Sequence, residues 1–118
     1  MENQAKFQIV SCSGASNTGL FADAVARKLN NNNDASMICL AKVAISDQVL
    51  IEKVKSQPNK IVVLDGCVFN CAEKILGREG ITETIHVNTT DFDIVKGKTP
   101  FSEEKATEIA KLILEITK

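Results

Sequence analysis

Apolar and polar positions alternate between two periods along this chain. Lys6 to Ser11 (Lys-Phe-Gln-Ile-Val-Ser) reads as a first strand. After a small, polar loop from Cys12 to Gly19, Phe21, Val25 and Leu29 recur every four residues and predict a helix from about Gly19 to Leu29. Asn30 to Asp34 is a polar turn, and Ala35 to Leu40 reads as a second strand. Ala41 to Ile45 fits either a continuation of that strand or an apolar loop. Ser46 is placed to cap a second helix with Val49, Leu50 and Val54 inward. Gln57-Pro58-Asn59 stops that helix, because a residue before proline is pushed out of the helical region. Ile61-Val62-Val63-Leu64 is an unbroken apolar run in a strand from Lys60, the mark of a strand buried on both faces. Asn70, with Glu73 three residues on, has the form of a capping box for a third helix from Cys71 to about Glu79, ended by Gly80. Thr84 to Asn88 predicts a fourth strand, followed by a loop to Phe101. Ser102 caps the last helix, with Ala106, Ile109, Ala110, Ile113 and Ile116 as its inward stripe.

The order is β-α-β-α-β-α-β-α, with no repeat and no linker. It predicts one α/β domain over residues 1–118, a small doubly wound, Rossmann-like fold with helices on both faces. The expected strand order of its parallel four-stranded sheet is 2-1-3-4. The two outer strands of such a sheet are unpaired edges, through which a homodimer could form.

Composition narrows the function classes. The 118 residues carry a formal net charge of −1 and no basic run, so neither nucleic acid nor an anionic membrane surface is an expected partner. No apolar run approaches the ~18 residues of a membrane span. Met1 to Lys6 has no signal-peptide core, so the expected location is the cytoplasm. Four cysteines in a reducing compartment favour metal or redox chemistry over structural disulfides. With no Trp or Tyr, stacking platforms for a flavin or for bases are scarce.

The four sulfurs are the candidate chemistry. In an open parallel sheet, sites lie outside the carboxyl ends of the strands. Cys12 follows strand 1, Cys39 lies near the end of strand 2, Cys67 follows strand 3, and Cys71 opens the next helix. Neighbouring strands are about 4.8 Å apart, so the expected fold gathers all four thiols at one end. A tetrahedral zinc ion held by four thiolates suits such a set. If Cys39 is instead an ordinary buried thiol, Asp65 or a water fills the fourth position.

Three other readings stand beside zinc. Cys67 and Cys71, next to a helix N-terminus, could cycle between dithiol and disulfide, with Cys12 or Cys39 as resolving partner. The loop from Ser11 to Gly19 could hold an anion or a flavin phosphate. It could also carry a cysteine nucleophile at Cys12. That last class needs an arginine about six residues on, where Thr18 stands, and the only arginines are Arg27 and Arg78. Whether the chain is an enzyme is left open. His86, the single histidine, fits a half-buried strand position better than a ligand, and Asp91 and Asp93 fit a solvated turn.

Four motifs carry a family resemblance: Cys-Ser-Gly-x-Ser-x-x-Gly at 12–19; Met37-x-Cys39-Leu40-Ala41; Asp65-Gly66-Cys67-x-x-x-Cys71-Ala72-x-Lys74-x-Leu76; and Asn88-x-Thr90-Asp91-Phe92 with Lys96-Gly97. Together they resemble the DGC-domain family, proposed to bind zinc and named for its Asp-Gly-Cys motif. The resemblance implies Cys12, Cys39, Cys67 and Cys71 as zinc ligands and supplies no reaction. The chain departs from the pattern at Val68, where proline is expected, and at Lys42, where glycine is expected.

Overall fold

The computed structural model describes residues 5–12 and 14–118. The first four residues of the stretch read for a signal core, and Ser13 of the first loop, lie outside that range. Strand β1 (Phe7–Ser11) leads to helix α1 (Asn17–Asn31) and strand β2 (Ala35–Met37). Helices α2 (Leu40–Ala44) and α3 (Gln48–Ser56) precede strand β3 (Lys60–Asp65). Helix α4 (Cys71–Arg78), strand β4 (Ile85–Asn88), a 3-10 turn (Thr89–Phe92) and helix α5 (Glu103–Ile116) complete the chain. The sheet has the order β2-β1-β3-β4, and every pairing is parallel. Among the described residues no helix is long and apolar enough to cross a membrane.

Two cores flank the sheet. On one face Ile9, Val62, Leu64 and Val87 pack with Phe21, Val25 and Leu29 of α1 and with Ile109 and Ile113 of α5. On the other, Val10 and Val63 pack with Val43, Ile51, Val54 and Leu76 from α2, α3 and α4. All five residues of β1 are buried, as are the last four of β3. Central strands covered on both sides carry apolar residues at successive positions, which is why β3 reads as an apolar run. Gln8 and Ser11 are the buried polar residues of β1, and Gln8 Nε2 donates to the Val54 carbonyl.

Several local expectations are corrected. β2 stops at Met37, and Leu40–Ala44 turns into helix α2 instead of extending the strand. Alanine and leucine favour a helix here, and only Val43 of that helix is buried. Asp47, not Ser46, caps α3; Ser46 sits at φ +61°. Val54 faces inward and Leu50 packs against the core as expected, while Ile51 is buried in place of Val49, which is 80% exposed. Ile116 is likewise exposed at the end of α5, although Ser102 caps that helix as expected. Helix α1 begins at Asn17, two residues early, because the Ser16 hydroxyl accepts from the Gly19 N–H at 3.0 Å.

Candidate functional site at the carboxyl end of the sheet

The Asp65-Gly66-Cys67 segment is fixed by contacts on three sides. Asp65, the last residue of β3, is 1% exposed. Its Oδ1 accepts from the Ala72 N–H at 2.8 Å and its Oδ2 from the Glu73 N–H at 3.2 Å. Asp65 therefore caps α4 from six residues ahead of the helix. Asn70, the expected cap, is left-handed (φ +51°) and makes no capping bond. Glu73 correspondingly closes no capping box. A buried carboxylate on the first N–H groups of a helix is well matched to the dipole. His86 Nε2 lies 2.9 Å from Asp65 Oδ2, and its Nδ1 lies 3.9 Å from Glu73 Oε1. The half-buried strand position expected for His86 is correct, and its partner is the capping carboxylate. Both Asp65 oxygens are thus committed to α4, with His86 on one of them, which leaves Asp65 poorly placed to serve as a fourth ligand.

Gly66 is required by its neighbour. A Cβ built there meets the Gly19 nitrogen and Thr18 carbonyl carbon at 2.7 Å and the Thr18 oxygen at 2.8 Å. The loop after β3 therefore lies backbone to backbone against the first turn of α1. The buried Thr89 hydroxyl donates to the same Thr18 oxygen at 3.0 Å and brings in the turn after β4. Asn17 holds the next segment: its Nδ2 donates to the carbonyls of Val95 and Thr99, and its Oδ1 accepts from the Gly97 N–H. The Lys96-Gly97-Lys98 stretch, at φ +81° for Gly97, is tied in this way to the start of α1.

The cysteines are distributed around this frame. Cys12 directly follows β1, and its N–H donates to the Leu64 carbonyl. Burial pushes its thiol up to a pKa of about 11, with the nearby Asp65 carboxylate adding to the rise and Cys67 and Cys71 contributing further. A hydrogen bond from the Gly66 backbone works in the opposite direction. Cys12, Cys67 and Cys71 thus share one electrostatic neighbourhood. Cys67 is half-buried, and Cys71 is exposed in the first turn of α4. Cys39 is exposed immediately before α2, not buried in the core. It borders a pocket of about 380 Å³ with Cys12, Met37, Leu40 and Ile75. All four thiols are free. As the side chains lie, no three His, Cys, Asp or Glu residues among the described ones stand close enough to hold a metal ion. The match to zinc is therefore one of donor type and neighbourhood, and binding requires the side chains to turn inward.

The model of the DGC domain matches residues 8–113. The chain belongs to the DGC domain family. It is also similar to a curated protein of Pseudomonas aeruginosa, the anaerobic and virulence modulator AnvM, with 30% identity over 88 residues. That alignment covers 75% of this chain and 66% of AnvM. No solved structure matches the chain. The structure gives the Asp-Gly-Cys signature a physical reading. The aspartate caps α4, the glycine permits the backbone contact with α1, and the cysteine lies at the same end of the sheet as Cys12.

Two contributors have no positioning role in the sequence reading. Asp65 reads there only as a reserve ligand, since a cap six residues ahead of its helix leaves no local pattern. Asn88 was a motif residue without an assignment. Its place at the end of β4, in register with Asp65, was the available signal.

Proposed function

We propose that this DGC domain binds zinc through Cys12, Cys67 and Cys71, with Cys39 reaching across the shared pocket as the fourth ligand. The supporting observation is that Cys12, Cys67 and Cys71 come from the loops after β1 and β3 and the first turn of α4, at one end of the sheet, with Cys12 and Cys39 lining one pocket. Burial and Asp65 hold the Cys12 thiol neutral, and a bound divalent cation would let it ionise. Bound zinc would draw the loops after β1, β2 and β3 into one unit. Four thiolates close the coordination sphere, so the site is structural, carries its ion, or senses it. Such a site suits a reducing compartment such as the cytoplasm. The name of AnvM describes that protein as a modulator, and a regulatory role for this site follows the same line.

Asp65 disfavours the alternative in which Cys67 and Cys71 form a redox pair. The start of α4, which would stabilise an attacking thiolate, already carries a buried carboxylate. The test is metal content with free-thiol titration, on protein purified without chelator or added zinc. About one zinc per chain, with thiols reactive only after chelation, is the result expected of a tetrathiolate site. Four freely reactive thiols and no metal, or a reversible Cys67–Cys71 disulfide, would overturn it.

A further inference from the structure

The turn that carries Cys67 and Cys71 has little to hold it from within. Val68 and Phe69 are 82% and 62% exposed, and Asn70 occupies the left-handed region. Its internal tie is a single turn bond from the Asn70 N–H to the Cys67 carbonyl at 3.2 Å. Asn88 supplies the rest. Standing beside Asp65 at the end of β4, it donates from Nδ2 to the Cys67 carbonyl at 2.7 Å and to Asn70 Oδ1 at 2.8 Å. Its Oδ1 accepts from the Thr90 N–H at 3.0 Å and from the Thr90 hydroxyl at 2.6 Å.

A primary amide offers two donors and two acceptor sites, and all four are used here. The orientation of the amide is also determined. The Thr90 N–H can only donate and the Cys67 carbonyl can only accept, so exchanging Nδ2 and Oδ1 would break both bonds. One side chain thus connects the strand that ends beside the site to both ends of the cysteine-bearing turn.

We infer that Asn88 is a positioning residue that sets where the Cys67 and Cys71 thiols stand relative to Cys12. The inference extends the zinc reading, but its geometric content applies to the metal-free chain as well. Asn88→Asp is nearly isosteric. It keeps the acceptor toward Thr90 and replaces the doubly donating nitrogen with one oxygen that faces the Cys67 carbonyl and Asn70 Oδ1. The turn is then released while the sheet is retained.

The experiment compares wild type and Asn88→Asp by site-resolved alkylation of the metal-free protein, followed by zinc and cobalt titration. The expected result is a several-fold change in the rates at Cys67 and Cys71, with Cys12 and Cys39 at wild-type rates. Zinc affinity should fall roughly 10–100-fold, as for other residues that orient metal ligands. The thiolate-to-cobalt absorption should change with it. A general loss of stability would raise all four alkylation rates together, and that outcome overturns the inference. Unchanged rates at Cys67 and Cys71 overturn it as well. If wild type binds no metal while the selective change persists, the zinc reading fails and the positioning role stands. Should Asn88→Asp not fold, Asn70→Gly removes only the Asn70 Oδ1 acceptor and tolerates the left-handed conformation. It is expected to give the same selectivity with a smaller change, and its absence there would refute the inference.

Discussion

Adding one methyl group at Gly66 should damage this protein, whereas the same group at Gly77 should not. At Gly66 the new Cβ meets three backbone atoms of Thr18 and Gly19 at 2.7–2.8 Å. Ordinary van der Waals contact begins near 3.4 Å, so one of the two backbones must move by roughly half an ångström or more. Neither can yield easily. Gly66 follows the capping Asp65, and Thr18 and Gly19 lie in the first turn of α1, both buried. Overpacking of a fitted interior costs about 1–3 kcal/mol, and contact with backbone belongs at the upper end. The unfolding entropy of about 2.1 cal/mol/K per residue gives a chain of this length about 250 cal/mol/K. A loss of about 3 kcal/mol therefore lowers Tm by about 12 °C. Gly77 lies exposed in α4 with nothing within 4 Å of a built Cβ. Alanine there gains helix propensity, about 0.5 kcal/mol so near the helix end, and raises Tm by about 2 °C. Thermal melts followed by circular dichroism, on the metal-free protein, read both changes. If Gly66→Ala melts within 2 °C of wild type, the backbone contact between the two loops is not part of the fold.

Three further outcomes are expected. Asp65→Asn keeps the shape of the cap, but its amide nitrogen opposes a helix N–H and the charge is lost; denaturant unfolding should show a loss of about 1.5–3 kcal/mol, and an unchanged midpoint would refute the cap. In the metal-free protein the Cys12 pKa rises from an ordinary 9.0 to about 11, so the folded state holds that proton more tightly than the unfolded chain does. The resulting stability is complete below pH 9 and is lost as pH rises through 11; denaturation midpoints across this window should fall for wild type more steeply than for Cys12→Ser. In the proposed zinc site, Cys12 is a neutral thiol before binding, so zinc uptake at pH 7 should release protons, seen as a dependence of calorimetric heats on buffer ionisation enthalpy.

The sheet was legible because its signals are local. Ile61–Leu64 is apolar at every position since β3 is covered on both faces, and alternation with amphipathic stretches requires crossover helices. Helix ends were less legible because they are settled by competition between nearby side chains. Ser46 and Asp47 are both good caps by type, and Asp47 is the one that accepts from the Leu50 N–H. The frame around the cysteines was hardest to read. Asp65 reaches forward to the Ala72 N–H, Asn88 reaches back to Cys67, and Asn17 reaches to Thr99. Such bonds follow from the meeting of loops, and no sequence period encodes them. The cysteines stood out by type, but the amides and the carboxylate that place them did not.

The ties between the start of α1 and the far end of the chain bear on the order in which the protein is made. Thr18 is bonded by Thr89, and Asn17 by Val95, Gly97 and Thr99, across separations of 71 to 82 residues. A growing chain on the ribosome can pair β1 with β2 and β3 long before residues 89–99 emerge. The ties to the first turn of α1 must wait for them. Contacts that close such long loops form late, because the entropy of closure is lost before the bonds are gained. The first turn of α1, against which Gly66 packs, would thus gain these ties only after most of the sheet has been made.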